Sequence, residues 1–238
     1  MQEVPARSLV LLVGSPGAGK STFCQQTILQ NLAVERPVIY VTTESGSSEA
    51  ERALMEKGLG EIEPGLLNFV DAYSETVGVS LSDRSDIVSA DCDALSSIDI
   101  AISKLQERIG RRGVLLVFDS LTSPYMFNGS EILRFMRQTL SRFAARGNSV
   151  LACIDEGCGK PEDLVTMMSM ANGIVKMEVA DGSRVLNVVK HPKVEPTRIE
   201  VPTSGIREKL VDLEFWDVEL SKRVLEAEQR GAASKEQE

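Results

Sequence analysis

Residues 14–21 read Gly14-Ser15-Pro16-Gly17-Ala18-Gly19-Lys20-Ser21. This segment fits the pattern G-x-x-x-x-G-K-[S/T], in which small residues let successive backbone amides turn inward around phosphate groups. An apolar run at residues 8–13 precedes the glycine loop, and a helical pattern at residues 20–33 follows it. A buried strand, a glycine loop and a helix in this order predict a phosphate-binding loop rather than a glycine turn without a ligand.

The pattern assigns roles to particular side chains. Lys20 is predicted to reach the β- and γ-phosphates, and the Ser21 hydroxyl to bind Mg²⁺. Asp119 ends a second apolar run, at residues 114–118, and a carboxylate at such a strand tip can hold the same Mg²⁺. The alternative for Asp119 is a cap on the following turn. The predicted nucleotide-binding residues are Ser15, Gly17, Ala18, Gly19, Lys20, Ser21 and Thr22.

Strand and helix patterns alternate along the rest of the chain. Short apolar runs predict buried strands, and apolar residues at helical spacing predict helices. The predicted strands are residues 8–13, 38–42, 66–70, 114–118, 149–154, 173–179, 184–190 and 198–201. The predicted helices are residues 20–33, 47–57, 98–109, 130–145 and 164–171.

The connections complete the fold prediction. Asp181-Gly182 indicates a hairpin turn, Ser48 and Glu51 fit a capping box, and the Ser- and Asp-rich residues 74–97 predict an exposed loop or edge insertion. We therefore expect an α/β fold, with a mostly parallel central sheet flanked by helices and a C-terminal antiparallel hairpin. A single domain is expected over residues 1–238, with its core at about 8–206 and a polar tail at about 227–238.

The order of the motifs is similar to that of a known superfamily. After GSPGAGKS comes a strand leading into YVTTES with Glu44, then LLVFDS with Asp119 and Ser120, and finally VVKHP with Lys190. These segments resemble the RecA superfamily of P-loop NTPases, and most closely the single-domain relatives of the circadian-clock ATPase KaiC. The resemblance covers about residues 8–206, and it implies a RecA-like fold with ATP and Mg²⁺ as cofactors.

The same resemblance implies two further catalytic residues. Glu44 matches the glutamate that activates the attacking water, and Lys190 matches a lysine that reaches the γ-phosphate of a neighbouring subunit in a ring. The family's second glutamate is Ser45 here, and its arginine is Pro192, for which Lys193 or Arg198 are the candidate substitutes. The alternative for Glu44 is a solvated acid at the start of a loop. The alternative for Lys190 is an edge-strand lysine that discourages aggregation.

These departures leave several functions open. The first is an ATPase that hydrolyses ATP slowly and acts as a homo-oligomeric ring, for example a hexamer, to regulate protein partners. The second is a non-hydrolysing, ATP-gated assembly module, similar to the KaiC-like subunit of the archaeal swimming motor. A RecA-type DNA-dependent ATPase and a small-molecule kinase rank lower, the kinase because no arginine-rich lid segment is found.

Charge and composition narrow the possible partners and the location. Acidic residues outnumber basic ones by 35 to 26, and this net charge of -9 disfavours nucleic acid and anionic lipid as partners. No apolar run approaches the roughly 20 residues that cross a bilayer, so we expect no membrane insertion. Cys24, Cys92, Cys153 and Cys158 lack metal-site spacing and His191 is the one histidine, so we expect reduced thiols in a cytoplasmic protein rather than a zinc site.

Overall fold

The sheet is built outward from β1 (Ser8–Gly14), in which all seven residues are buried. The structure is a computed structural model that describes residues 6–81, 83–180, 183–192 and 195–201. Leu9, Leu11 and Val13 enter the core on one face of the sheet, and Val10 and Leu12 enter the core on the other face. Burial on both faces explains why this strand is a continuous apolar run rather than an alternating one.

Within the described residues, eight further strands extend the sheet in both directions. They are β2 (Val38–Thr42), β3 (Leu67–Asp71), β4 (Ile87–Ser89), β5 (Leu115–Asp119), β6 (Ser149–Asp155), β7 (Gly173–Ala180), β8 (Ser183–Lys190) and β9 (Thr197–Val201). The order across the sheet is β4-β3-β2-β5-β6-β1-β7-β8-β9. The strands from β4 to β7 pair in parallel, whereas β7, β8 and β9 pair antiparallel.

Helices cover the two faces unequally. They are α1 (Lys20–Leu32), α2 (Ser47–Glu56), α3 (Leu95–Ile109), α4 (Thr122–Asn128), α5 (Glu131–Phe135), α6 (Ser141–Ala145) and α7 (Pro161–Met170). A π-helical turn, Met136–Leu140, joins α5 to α6, so that the chain is helical from residue 131 to residue 145. Side chains of α1 and α2 pack on one face of the sheet, and those of α3 to α7 pack on the other. None of these helices is long and apolar enough to cross a membrane.

The predicted fold class is confirmed. Parallel strands alternate with helices, and β7 and β8 form the expected antiparallel hairpin, continued by β9. The Asp181-Gly182 turn and the tail at residues 227–238 lie outside the described residues.

The interpretation of residues 74–97 as loop or edge insertion was incomplete. This stretch contains a 3-10 turn, Glu75–Val77, and the edge strand β4, and it also supplies the start of α3. β4 pairs with only three residues of β3 and its own residues are half-buried, which leaves too weak an apolar signal to detect. The short helix α4 was not predicted either.

The predicted capping box at Ser48 and Glu51 was wrong. Helix α2 starts after Gly46, without a capping side chain of its own. Instead, the Asp71 carboxylate at the end of β3 accepts a hydrogen bond from the Ser47 amide at 2.6 Å. Glu51 pairs with Arg84 at 2.6 Å. A neighbouring strand thus supplies the acceptor that the helix N-terminus requires.

The strand register brings the carboxyl ends of four strands, β1, β2, β5 and β6, to the same edge of the sheet. This edge runs across the strand ends and is distinct from the edge strands. Gly14 of β1 lies opposite Asp155 of β6, and Thr42 of β2 lies opposite Asp119 of β5. In open parallel sheets, ligands bind outside these carboxyl ends. The polar residues at this edge are therefore the first candidates for a functional site.

Two isoleucines of α3 test the assignment of its core-facing side. Ile98 is completely buried, whereas Ile100 is 55% exposed. We expect Ile98→Ala to lower the free energy of unfolding by about 2–5 kcal/mol, because it leaves a cavity. Ile100→Ala is the matched control and should change it by about 0.5 kcal/mol or less. Equal effects of the two variants in urea unfolding would contradict the described orientation of the helix.

Candidate functional site

The glycine loop leaves β1 and enters α1 at this edge of the sheet. Gly14 lies so close to β7 that a Cβ atom would stand 2.5 Å from the Met177 carbonyl oxygen, so only glycine fits there. Gly19, immediately before the helix, has a φ of 99°, in the left-handed region that favours glycine. The first turn of α1 carries no acidic side chain. The helix therefore supplies no acidic residue of its own to offset the positive end of its dipole at the loop.

Lys20 folds back over this loop. Its Nζ donates hydrogen bonds to the carbonyl oxygens of Gly14 at 3.0 Å and of Ser15 at 2.9 Å. The same Nζ pairs with Asp155 Oδ1 at 2.6 Å, with 8% of the lysine side chain and 23% of the aspartate side chain exposed. An anion that enters the loop must therefore compete with Asp155 for this ammonium group.

Asp119, at the tip of β5, is held at both carboxylate oxygens. Among the described side chains, Ser21 and Cys153 donate to Oδ1, at 3.2 Å from Oγ and 2.9 Å from Sγ. Tyr40 donates to Oδ2 at 3.1 Å. Burial, followed by the Asp119 charge, raises the pKa of Tyr40 well above its usual range, so the phenol keeps its proton as donor. These bonds fix the carboxylate beside the Ser21 hydroxyl.

Glu44 follows β2 and is exposed at the same edge. Ser120 Oγ donates a hydrogen bond to Glu44 Oε1. Thr43 joins the backbone segment after β2 to the one after β5. Its Oγ1 accepts a hydrogen bond from the Ser120 amide at 2.9 Å and donates one to the Ser120 carbonyl at 2.8 Å. The Asp119–Ser120 peptide bond is cis. Glu44 and Asp119 therefore have their spacing set by neighbouring strands.

These groups surround one pocket of about 340 Å³. Its lining residues are Pro16, Gly17, Gly19, Lys20, Ser21, Thr22, Glu44, Asp119, Ser120, Asp155 and Arg184. The pocket thus brings together the glycine loop, two cations and three carboxylates.

Most predicted site residues lie at this pocket. Gly17, Gly19, Lys20, Ser21 and Thr22 line it, as do Glu44 and Asp119. Ser15 and Ala18 belong to the loop without lining the pocket, since Ala18 is completely buried and Ser15 contributes its carbonyl oxygen.

Lys190 lies far from the pocket of its own chain. β8 runs antiparallel to β7, so Lys190 lies opposite Ile174, near the start of β7. This position is at the amino ends of the parallel strands, whereas the pocket is at their carboxyl ends. Lys190 is six residues further along β8 than Arg184, a distance of roughly 20 Å. Its Nζ donates to the Ala171 carbonyl at 2.7 Å. Pro192 and Arg198 are exposed outside the pocket, and Lys193 lies outside the described residues.

The sequence did not predict that Arg184 lies at the pocket or that Asp155 pairs with Lys20. A Cβ atom on Gly19 would stand 2.9 Å from Arg184 Nε, which places the guanidinium against the glycine loop. No local pattern marks Arg184, because β8 reaches the loop only through sheet pairing. Asp155 did carry a signal, since it ends an apolar run in the same way as Asp119 does.

Comparison with known proteins agrees with this geometry. A family model described as the KaiC ATPase matches residues 2–198. The chain belongs to the KaiC ATPase family. The solved structure of a KaiC-like protein from Pyrococcus horikoshii OT3 superposes with a TM-score of 0.63 at 18% identity, covering 83% of this chain and 86% of that one. That similarity confirms the RecA-like fold.

The relatives found by sequence include UPF0273 proteins of archaea. One from Pyrococcus furiosus is 32% identical over 126 residues, which cover 52% of this chain and 50% of that protein. One from Methanopyrus kandleri is 27% identical over 186 residues, which cover 74% and 70% of the two chains. The chain therefore spans about half the length of the Pyrococcus furiosus relative that it matches.

Because Lys20 is paired with Asp155, removing the charge of Asp155 is expected to increase the affinity for ATP. We expect Asp155→Asn to tighten ATP binding about threefold to tenfold, because Lys20 is released and one carboxylate no longer faces the phosphates. Isothermal titration calorimetry measures this change. Glu156→Gln is the matched control, since Glu156 pairs with Lys176 on the surface at 3.0 Å and should leave affinity unchanged. Weaker binding by Asp155→Asn would mean that Asp155 supports the nucleotide-bound state.

Proposed function

We propose that this KaiC-family chain binds ATP and hydrolyses it slowly, as one domain of a homo-oligomeric ring that reports its nucleotide state to protein partners. The observation that carries the proposal is the pocket in which Lys20, Glu44 and Asp119 meet around the glycine loop. It offers a cation for the phosphates, a carboxylate for water and a carboxylate for a metal. We place this protein in the cytoplasm, where its four free thiols would stay reduced.

The phosphates would bind between the glycine loop and two cations. Backbone amides and the N-terminus of α1 supply donors along the loop. Lys20 would exchange Asp155 for the β- and γ-phosphates, and Arg184 would approach them from β8 on the other side of Gly19. Because Lys20 and Arg184 already lie at the loop before ATP binds, binding requires a local exchange of partners rather than a rearrangement of the site.

The residues present fit a magnesium ion. Ser21 Oγ and Asp119 Oδ1 lie 3.2 Å apart at the pocket, and both are the hard oxygen donors that Mg²⁺ prefers. Ser21 would bind the metal directly and Asp119 would hold it directly or through water. When bound, the ion would neutralise charge on the phosphate oxygens. Tyr40 and Cys153 would keep Asp119 oriented while Ser21 turns to the metal.

Glu44 is the group that we assign to the attacking water. Its exposed carboxylate can accept a proton from water, while the hydrogen bond from Ser120 limits its rotation. Ser45 takes the place of the family's second glutamate, and Pro192 takes that of its arginine. With a single carboxylate and one fewer cation for the developing charge, we expect slow turnover.

A ring is favoured by the position of Lys190. The lysine lies at the edge of the sheet opposite its own pocket, so it can reach a phosphate only in a neighbouring copy. A second copy would then complete each site. Net charge -9 disfavours nucleic acid as the regulated partner and leaves protein as the favoured one.

The second candidate is a non-hydrolysing, ATP-gated assembly module. It is supported by the same two departures, Ser45 in place of the second glutamate and Pro192 in place of the arginine. Tight ATP binding and ATP-dependent assembly without phosphate release would select it over the ATPase.

Substitution of Glu44 separates the two candidates. For the ATPase, we expect Glu44→Gln to lower phosphate release about 10²-fold while ATP still binds, because only the proton acceptor is lost. Lys20→Ala should abolish both binding and turnover. Glu49→Gln makes the same charge change at an exposed position of α2 and should behave as wild type. An unchanged rate in Glu44→Gln would remove Glu44 from catalysis.

Mixing two defective variants tests whether Lys190 acts between copies. Alone, Lys190→Ala should be slow and Lys20→Ala inactive, yet a mixture should recover part of the activity. In the mixture, an intact glycine loop in one copy can receive Lys190 from the other. Light scattering after gel filtration, with and without ATP, should show an assembly of several copies. A monomer in both conditions, or a mixture no faster than its components, would contradict the ring.

A further inference from the structure

Three side chains of types that can bind a metal converge where α1 packs against the sheet. They are Cys24 on α1, Asp119 at the tip of β5 and Cys153 on β6. The two sulfur atoms and a carboxylate oxygen all lie within 4.8 Å of one another, and all three residues are buried. The spacing of cysteines along the chain gives no sign of this cluster, because Cys24 and Cys153 meet only through helix-to-sheet packing.

Hydrogen bonding holds part of the cluster together in the structure. Cys153 Sγ donates to Asp119 Oδ1 at 2.9 Å, and Cys24 Sγ lies within 4.8 Å of both atoms. Burial raises the pKa of Cys153 well above its usual range. The proximity of Cys153 lowers the pKa of Cys24, but burial and the Asp119 charge outweigh this effect, so the pKa is raised overall. Both thiols therefore keep their protons.

This donor set differs from that of a magnesium site. Two thiols with one carboxylate suit thiophilic cations of borderline or soft character, whereas Mg²⁺ prefers oxygen alone. We infer that Cys24, Cys153 and Asp119 form a binding site for a thiophilic divalent cation such as Zn²⁺ or Cd²⁺. The cation displaces one proton from each thiol to solvent and binds the two thiolates and the carboxylate.

Such a cation would compete with Mg²⁺ for Asp119. The carboxylate belongs to both donor sets, and it reaches the pocket beside Ser21, which gives the cation a route of entry. Occupation of the thiol site would withdraw Asp119 from the nucleotide-bound metal and inhibit ATP turnover. This consequence rests on the proposed function, whereas binding of the cation itself does not.

The other two cysteines provide matched controls. Cys92 is buried in the core on the opposite face of the sheet from Cys24, and Cys158 is half-buried next to the Thr122 carbonyl. Neither belongs to the cluster. Each removes one thiol when changed to serine, without touching the proposed donors.

Equilibrium dialysis against Cd²⁺ alone tests the site in the reduced, nucleotide-free full chain. We expect one tightly bound Cd²⁺ per chain in the wild type, Cys92→Ser and Cys158→Ser. Cys24→Ser and Cys153→Ser should bind at least about tenfold more weakly, since each loses a ligand. Loss of binding in Cys158→Ser, or equal binding by all five proteins, would overturn the proposal.

A spectroscopic measurement on the wild type avoids dependence on the folding of the variants. X-ray absorption at the cadmium edge should show two sulfur neighbours and at least one oxygen. A first shell of oxygen and nitrogen only would also overturn the proposal. If phosphate release is measurable, Cd²⁺ should inhibit it and excess Mg²⁺ should relieve the inhibition. Absence of any phosphate release would count against the proposed ATPase and leave the dialysis result standing.

Discussion

Parallel pairing of β1 with β6 and of β2 with β5 is the constraint on which the site depends. It sends four strand ends to one edge of the sheet, where Gly14 lies opposite Asp155 and Thr42 lies opposite Asp119. Parallel strands need long crossovers, and the helices that serve as crossovers bury both faces. The same pairing that requires continuous apolar strands therefore also collects the polar residues that follow them.

The buried charged groups Lys20 and Asp119 at that edge already have partners when no ligand is bound. Lys20 is neutralised by Asp155 at 2.6 Å, and Asp119 is satisfied by hydrogen-bond donors from α1, β2 and β6. A site with unpaired buried charges would carry a large desolvation cost. Here, Lys20 has an anionic partner, and Asp119 and Glu44 each accept hydrogen bonds. The partners hold the side chains in place and set the free energy with which a ligand must compete.

Local patterns were sufficient for much of the fold and part of the site. The motif at residues 14–21 indicates the loop because its spacing follows from backbone geometry. Short apolar runs place β1, β5 and β6, and helical spacing of apolar residues places α3, to within a few residues. β4 escaped detection because three half-buried residues carry little periodic signal. The cap of α2 was misassigned because its acceptor, Asp71, comes from another strand.

The remaining site residues depend on tertiary contacts. Arg184 reaches Gly19 only because β8 follows β7 in the sheet, and Cys24 meets Cys153 only because α1 packs on β6. No window of sequence contains both members of either pair. Residues of this kind can be recognised from one sequence only after the sheet order is known.

The crowding at Gly14 changes how substitutions in the glycine loop should be interpreted. A side chain at this position would collide with the β7 backbone before it met any phosphate. The first glycine of the motif is therefore required by the contact between neighbouring strands, and the later Gly19 by backbone conformation and the approach of Arg184. One short motif thus combines a glycine that strand packing requires with a glycine that the loop backbone requires, so loss of function at its first position does not identify a nucleotide contact.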